Sequence, residues 1–308
     1  MKKNNKKLVI LFFTVLLLTG CTKSLTKDNK VVTNPSTGQS LTENILCKPK
    51  SEETIKIYNE NKDKVDISKL PECEDFKVNS GGYEGLWTSI FVKPLAWLIL
   101  KIGSLVKNYG LGLIIVSLLI RLIAFPVTKK TAMQSEMLKN AKPDLDKLEK
   151  KYKDKTDQES LMKKNQEMML IYKKYNINPV SGCLFSLIQL PLFIGFLEAI
   201  NRVPAIFEGK FLLFELGTTP KTALFHGNFA YIILIVIVAV TTYYSFKLNA
   251  TAMTNNDQAK TMNRMMVIMI TVMSIFMTSA LNIYWITTNL FTIVQNIIVK
   301  RGNKNEKK

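Results

Sequence analysis

Arg121 is the residue on which the chemistry of this sequence turns. It lies inside residues 110–128, GLGLIIVSLLIRLIAFPVT, a run long and apolar enough to cross a bilayer. An arginine near the centre of a spanning helix costs about 2.5–3.5 kcal/mol on insertion scales. It must therefore face a partner, or water held inside the membrane. Its chemistry is electrostatic. It can hold water and positive potential at depth, where an acidic or polar segment would be attracted. At about 100° per residue, Ser117 lies about 40° from Arg121 and Thr128 about 20° from it, so one narrow face of the run is polar and the rest aliphatic.

A second set of polar residues sits in 282–299, NIYWITTNLFTIVQNIIV. Thr288, Asn289, Thr292 and Asn296, with Asn282, Gln295 and the ring of Trp285, share a helical stripe about 140° wide. Such a stripe cannot face lipid, where an unsatisfied polar group costs several kcal/mol. Hydrogen bonds between spans would explain part of it, since Ser, Thr and Asn commonly join membrane helices. Adding Gln189, in the middle of 179–201, and the charge of Arg121 favours a water-containing groove over such bonding alone. A third stripe consists of Met262, Met265, Met266, Met269, Met273 and Met277, within an arc of about 120°. Flexible, polarizable methionines suit a surface that accepts varied apolar partners. Lipid-facing packing explains them equally well.

Covalent chemistry finds no support in these residues. His226 is the single histidine, and no paired carboxylates fall at mid-depth in a span. Gly110-Leu111-Gly112 is a fragment of a phosphate-loop pattern without the further glycine that pattern needs. Cys21, Cys47, Cys73 and Cys183 include no CxxC pair, so no metal site is expected. The reading is of a protein that is not an enzyme and needs no cofactor.

The elements that position these residues follow from charge and hydropathy. The chain has 308 residues, a net charge of +18 and 47% hydrophobic residues, with apolar and lysine-dense runs alternating. That is a membrane-protein composition. The lysines flank apolar segments, which fits membrane orientation and contact with anionic lipid or ribosomal RNA, and not DNA binding.

Residues 1–21 have the anatomy of a secretory signal peptide, and Leu18-Thr19-Gly20-Cys21 resembles a lipobox, making Cys21 the expected lipidation site. The other reading is an uncleaved anchor helix. Residues 22–83 are polar and aperiodic and read as a mostly disordered tail outside the cytoplasm. Cys47 and Cys73 could close a disulfide there in an oxidising compartment, or stand as two free thiols. Residues 84–108 mix aromatics with lysines and read as an amphipathic helix on the outer membrane surface. A short buried helix or an extra span is the alternative.

Spans are expected at 110–128, 179–201, 226–246, 263–281 and 282–299. Residues 129–178 hold thirteen lysines and eight acids, with apolar residues at helical spacing, and read as two amphipathic helices in a hairpin broken at 151–158. The hairpin, the 247–264 loop and the basic tail together hold 21 Lys and Arg, against three in the loop 202–225. The positive-inside rule then puts the C-terminus in the cytoplasm and the N-terminus outside, as a signal peptide also requires. The expected architecture is an all-α polytopic membrane protein. Its five transmembrane helices enclose a hydrophilic groove within a membrane core at 109–300, with residues 301–308 a basic cytoplasmic tail.

These residues resemble the YidC/SpoIIIJ family of membrane protein insertases. The resemblance covers 84–301 and is carried by IRLIAFPVTKK, NPVSGC and the last span, YWITTNLFTIVQ. The lipobox and five spans are similar to the Gram-positive type. The resemblance implies a protein that inserts nascent membrane proteins, alone or beside the Sec translocon. It implies clients received from ribosomes and the signal recognition particle pathway, and a groove open to the cytoplasm and to membrane lipids. It places Arg121 in that groove, matches Ser117 to a polar groove position and matches Trp285 to an aromatic position that contacts substrate. It makes the second and fourth spans a sliding surface for substrate helices, which would employ Met266, Met269 and Met273. The alternatives are a small-solute channel or transporter and a purely structural assembly factor. A transporter would be expected to show internal repeats, and none is evident.

Overall fold

The computed structural model describes residues 22–155, 157–178, 181–248 and 257–305, with side chains at 181–188, 257–260, 262 and 303–305 left aside. The signal peptide and Cys21 lie outside the described residues, as do Pro179, Val180 and most of the 247–264 loop. Within α5, introduced below, Cys183 is among the side chains left aside.

The described chain is mainly helical. Two compact units divide it. The first gathers residues up to Leu119, Leu190–Val236 and Ser274–Trp285.

Residues 22–83 were expected to be mostly disordered, and in the structure they are folded. Strands β1 (Thr26–Lys27) and β2 (Lys30–Val31) pair antiparallel across Asp28 and Asn29, both at positive φ. Asp and Asn tolerate that conformation and suit a two-residue hairpin turn. Helix α1 (Glu52–Asn59) is capped by the Ser51 hydroxyl, which accepts from the Thr54 N–H. Leu25, Leu41, Ile45, Tyr58 and Val65 form a small core that also takes in Phe207, from far along the chain. A disulfide joins Cys47 to Cys73. A covalent loop and a borrowed phenylalanine thus supply what the segment's low hydrophobicity could not.

The backbone then coils through Thr88–Val92 into helix α2 (Lys93–Leu105). One face, Val92, Leu95, Ala96 and Ile99, is buried, while Ile90, Trp97 and Leu105 are exposed. By length and apolarity Thr88–Leu105 also meets the requirement for a span. Where α2 meets the start of helix α3 (Tyr109–Lys151), two glycines set the distance. A Cβ on Gly112 would stand 2.7 Å from the Gly103 Cα, so any side chain there would push the two helices apart.

Helix α3 is the main departure from the expected element boundaries. A span ending near Pro126 and a separate first arm of the hairpin were expected. In the structure 43 residues form one helix through both Pro126 and Pro143. Proline removes one backbone bond and clashes with the preceding turn, which costs about 3 kcal/mol in a helix interior. At Pro126 the bond lost is the one to the Leu122 carbonyl, and the helix continues through it. Around Pro143 the buried Leu138, Ala141 and Leu145 hold the turn by packing.

The second unit contains Ile120–Gln189, Ile237–Met273 and residues from Ile286 onward. Helix α4 (Gln158–Lys174) folds back on α3 after a turn at 152–154, within the expected break. Met168, Ile171, Tyr172 and Tyr175 pack against Leu138, Ala141, Leu145 and Ile177. Lys174 and the Tyr175 hydroxyl both reach the Asp144 carboxylate, at 2.6 and 3.1 Å. Lys151 and the Tyr152 hydroxyl both reach Glu167, at 2.6 and 2.9 Å.

Helix α5 (Ser181–Arg202) contains Pro191. The connector after it is structured: α6 (Pro204–Phe207), a hairpin of β3 (Lys210–Phe211) and β4 (Phe214–Glu215), and α7 (Pro220–Phe225). Helix α8 (Tyr231–Leu248) follows, then α9 (Asp257–Phe276) and α10 (Ser279–Asn305). The break between the last two falls at 277–278, three residues before the expected boundary.

Candidate functional site

In the second unit, Arg121 is buried at 5% exposure. Its guanidinium donates to the Gln189 Oε1 at 2.6 Å. The two residues are 68 positions apart, so the fold, and not the local sequence, brings the charge to the amide.

About two helical turns further along α3 the polar face continues. Thr128 donates to the Gln295 Oε1 at 3.1 Å, and Thr131 and Ser135 are also buried. Opposite, α10 presents its polar stripe. Thr288, Asn289, Thr292 and Asn296 are all buried. The Asn289 amide donates to the Thr242 hydroxyl of α8 at 2.9 Å. Thr292 and Asn296 bond back to their own helix, at the carbonyls of Thr288 and Thr292. The stripe therefore joins helices through Asn289 and Gln295, and through Asn282, whose amide donates to the Ser274 carbonyl of α9 at 2.9 Å. A hydroxyl bonded to the carbonyl one turn back is the usual way a membrane helix carries Ser or Thr.

Ser117 and Trp285 lie in the first unit, and the methionines of α9 in the second. Ser117 is buried, and its hydroxyl donates to the Leu113 carbonyl at 2.6 Å. Trp285 meets Phe193 edge to face, with ring centroids 5.3 Å apart. Beside it Phe196 stacks on Tyr284 at 4.4 Å. On α9, Met269 and Met273 are each about half exposed and Met266 is part-buried, so this stripe is open on the helix surface. Ile268 and Val272 are exposed as well. The exposed surface is thus mixed aliphatic and thioether.

Sequence reasoning passed over a buried charged cluster in the first unit. Arg202 is fully buried at the end of α5. It pairs with Glu84 and Glu198, and its Nε donates to the Asn44 carbonyl at 2.6 Å. Glu198 also accepts from the Trp87 indole at 3.0 Å. Lys93, buried, pairs with Glu84 at 3.4 Å and donates to the Ser80 carbonyl at 2.7 Å. The signal was present as Glu198 and Arg202 at i, i+4 on an otherwise apolar helix. Among the described residues no group of three His, Cys, Asp or Glu is gathered for a metal ion.

A buried cation bonded to a neutral amide, with polar side chains on neighbouring helices, is an electrostatic site. Known proteins are similar to the chain over the region that contains it. The family model described as "60Kd inner membrane protein" matches residues 101–307. The chain belongs to that family. It is 34% identical to a protein of Oceanobacillus iheyensis named membrane protein insertase YidC, over 71% of this chain and 85% of that one. It is 38% identical to the membrane protein insertase MisCA of Bacillus subtilis, over 70% of this chain and 79% of that one. Among solved structures it is similar to a crystal structure of an active YidC insertase with its first transmembrane domain resolved. The TM-score is 0.50, at 26% identity over 79% of this chain. The chain spans about half, 52%, of that crystallised protein. The match to the 60Kd inner membrane protein family takes in Arg121, Gln189 and the polar stripe of α10.

Proposed function

We propose that this chain is a membrane protein insertase that moves short segments of client proteins into and across a bilayer. The observation that carries the reading is Arg121, buried in an apolar helix and held by the Gln189 amide. A site of this kind attracts acidic or polar segments without binding them covalently. The curated relatives named as insertases support it.

In this reading five spans enclose a groove open to the cytoplasm, the N-terminus lies outside, anchored by lipid on Cys21, and the C-terminus lies inside. Clients are nascent membrane proteins. They arrive from ribosomes and the signal recognition particle pathway, and are taken up alone or beside the Sec translocon. A client's short polar tail enters the groove toward Arg121 and then has only part of the bilayer left to cross. Its apolar helix passes the α5 and α9 surfaces, where Met266, Met269 and Met273 adapt to side chains of varied shape. Hydrophobic burial of that helix in lipid drives the step, with the membrane potential assisting an acidic tail.

The test is insertion of a single-span client with an acidic translocated tail into proteoliposomes holding only the purified protein. Arg121→Ala should impair insertion, and Arg121→Lys should retain most of it. Equal insertion by Ala and wild type would remove the electrostatic role. Leakage of small solutes through the wild-type vesicles, without client insertion, would instead point to a channel.

A further inference from the structure

The connector between α5 and α8 ends in a hairpin whose turn is chemically unusual. Strands β3 and β4 are joined by Leu212 and Leu213, exposed at 79% and 73%. Leu212 has φ +53°, in the left-handed region that favours Gly, Asn or Asp. A water-facing turn of this length ordinarily carries such residues. Two leucines there give up both turn preference and hydration.

The hairpin is wedged between the beginnings of two long apolar helices. The Asn108 amide, next to the first residue of α3, donates to the Lys210 carbonyl at 3.1 Å. A Cβ on Gly110 would stand 2.5 Å from the Phe211 Cβ, so α3 begins in direct contact with β3. On the other strand, the Glu215 N–H donates to the Tyr231 hydroxyl at 3.0 Å, and the Phe214 and Tyr231 rings meet edge to face at 5.2 Å. Tyr231 is the first residue of α8. Further bare apolar side chains stand at the same helix beginnings: Leu105 just before α3, and Phe225 and Phe229 just before α8. The exposed apolar surface runs on from Phe229 into Ile232 and Ile233 of α8. By length and apolarity α8 itself meets the requirement for a span.

We infer that the Leu212–Leu213 tip, with Phe225 and Phe229 beside it, is a lipid-binding anchor. It enters the headgroup–acyl boundary of the leaflet in which α3 and α8 begin, and the hairpin fixes the depth of both helices through Asn108 and Tyr231. Its ligand is the phospholipid surface itself. Hydrophobic side chains at a hairpin tip bury area in acyl chains, while the strand backbone stays paired and so meets the requirement that no backbone polar group enters lipid unsatisfied. Lys107, next to the Leu105–Val106 pair, stands where a lysine can reach lipid phosphate.

The inference rests on the reading of α3 and α8 as membrane helices, and the experiment separates the two. An environment-sensitive fluorescent amino acid is placed at Leu213, at Ile233 or at Lys56 in the otherwise intact chain. Each protein is studied in vesicles of phosphatidylethanolamine and phosphatidylglycerol containing no other protein. The Leu213 probe should be blue-shifted, quenched by nitroxide carried high on the lipid acyl chain, and protected from aqueous iodide. The Lys56 probe, on exposed α1, should show the reverse. If the Leu213 probe behaves like the Lys56 probe while the Ile233 probe is lipid-quenched, the anchor is overturned and the membrane reading stands. That outcome would favour a protein partner at the tip. If the Ile233 probe is also quenched by iodide alone, both fall.

Discussion

The Arg121 guanidinium and the Gln189 carbonyl oxygen stand 2.6 Å apart, bringing the cation of α3 to a neutral amide of α5. An amide fixes the guanidinium without cancelling its charge. A carboxylate at the same place would hold it as firmly and quench its field. In the proposed function the positive potential of Arg121 acts on a client's acidic tail.

Gln189 should accordingly be a positioning residue whose chemistry, more than its shape, matters. A hydrogen bond to a charged group contributes about 1.5–3 kcal/mol. Gln189→Leu should slow insertion of an acidic-tailed client by roughly tenfold or more if that orientation is lost. Gln189→Glu, close to isosteric, should slow it at least as much by pairing with Arg121, and should leave a client with an uncharged tail near wild type. Parallel insertion assays on the two clients check this. Equal loss on both clients would reduce Gln189 to a packing role.

Arg121 was legible because one charge interrupts an apolar run, and the α10 stripe because amides recur on one helical face. Gln189 was legible as polar at mid-depth, but its bond to Arg121 spans 68 positions and follows from tertiary packing. The two prolines of α3 misled for a related reason. The helix runs through both Pro126 and Pro143, and around Pro143 it is held by packing of Leu138 and Leu145, which no window of sequence displays. Residues 22–83 misled most. Their apolar residues are sparse and aperiodic, and their core closes on Phe207 only once the chain has returned from α3 and α5.

The disulfide should carry much of that small domain's stability. Cys47 and Cys73 are 26 positions apart. Closing a loop of that size lowers the entropy of the unfolded segment by an amount worth about 3 kcal/mol. Cys47→Ser with Cys73→Ser, or a reductant, should therefore make residues 22–83 open to protease while α3 and α8 stay protected. Limited proteolysis followed by mass spectrometry measures both regions at once.

The buried Arg202 cluster should tolerate paired changes far better than single ones. Arg202→Met leaves Glu198 and Glu84 without their shared cation and should cost about 3–5 kcal/mol. Adding Glu198→Gln, which keeps an acceptor for the Trp87 indole, should recover part of that loss. A thermal-unfolding double-mutant cycle in detergent reads the coupling. Strict additivity would mean that the cluster does not act as a unit.

The hairpin of α3 and α4 should loosen in acid. Hydrogen bonds from Lys174 and Tyr175 hold the Asp144 carboxyl below its usual range, and those from Lys151 and Tyr152 do the same for Glu167. A carboxyl with a depressed folded pKa binds its proton more weakly in the folded state than in the unfolded one. Its stabilisation is present above the ordinary carboxylate pKa and is lost as pH falls through the folded value. Hydrogen-exchange protection in α4, corrected for intrinsic exchange, should therefore hold from neutral pH down to the carboxylate range and then fall. Asp144→Asn with Glu167→Gln should show lower protection at neutral pH and little further loss in acid. A wild-type profile that is flat through the carboxylate range would mean these exposed pairs do not hold α4 on α3.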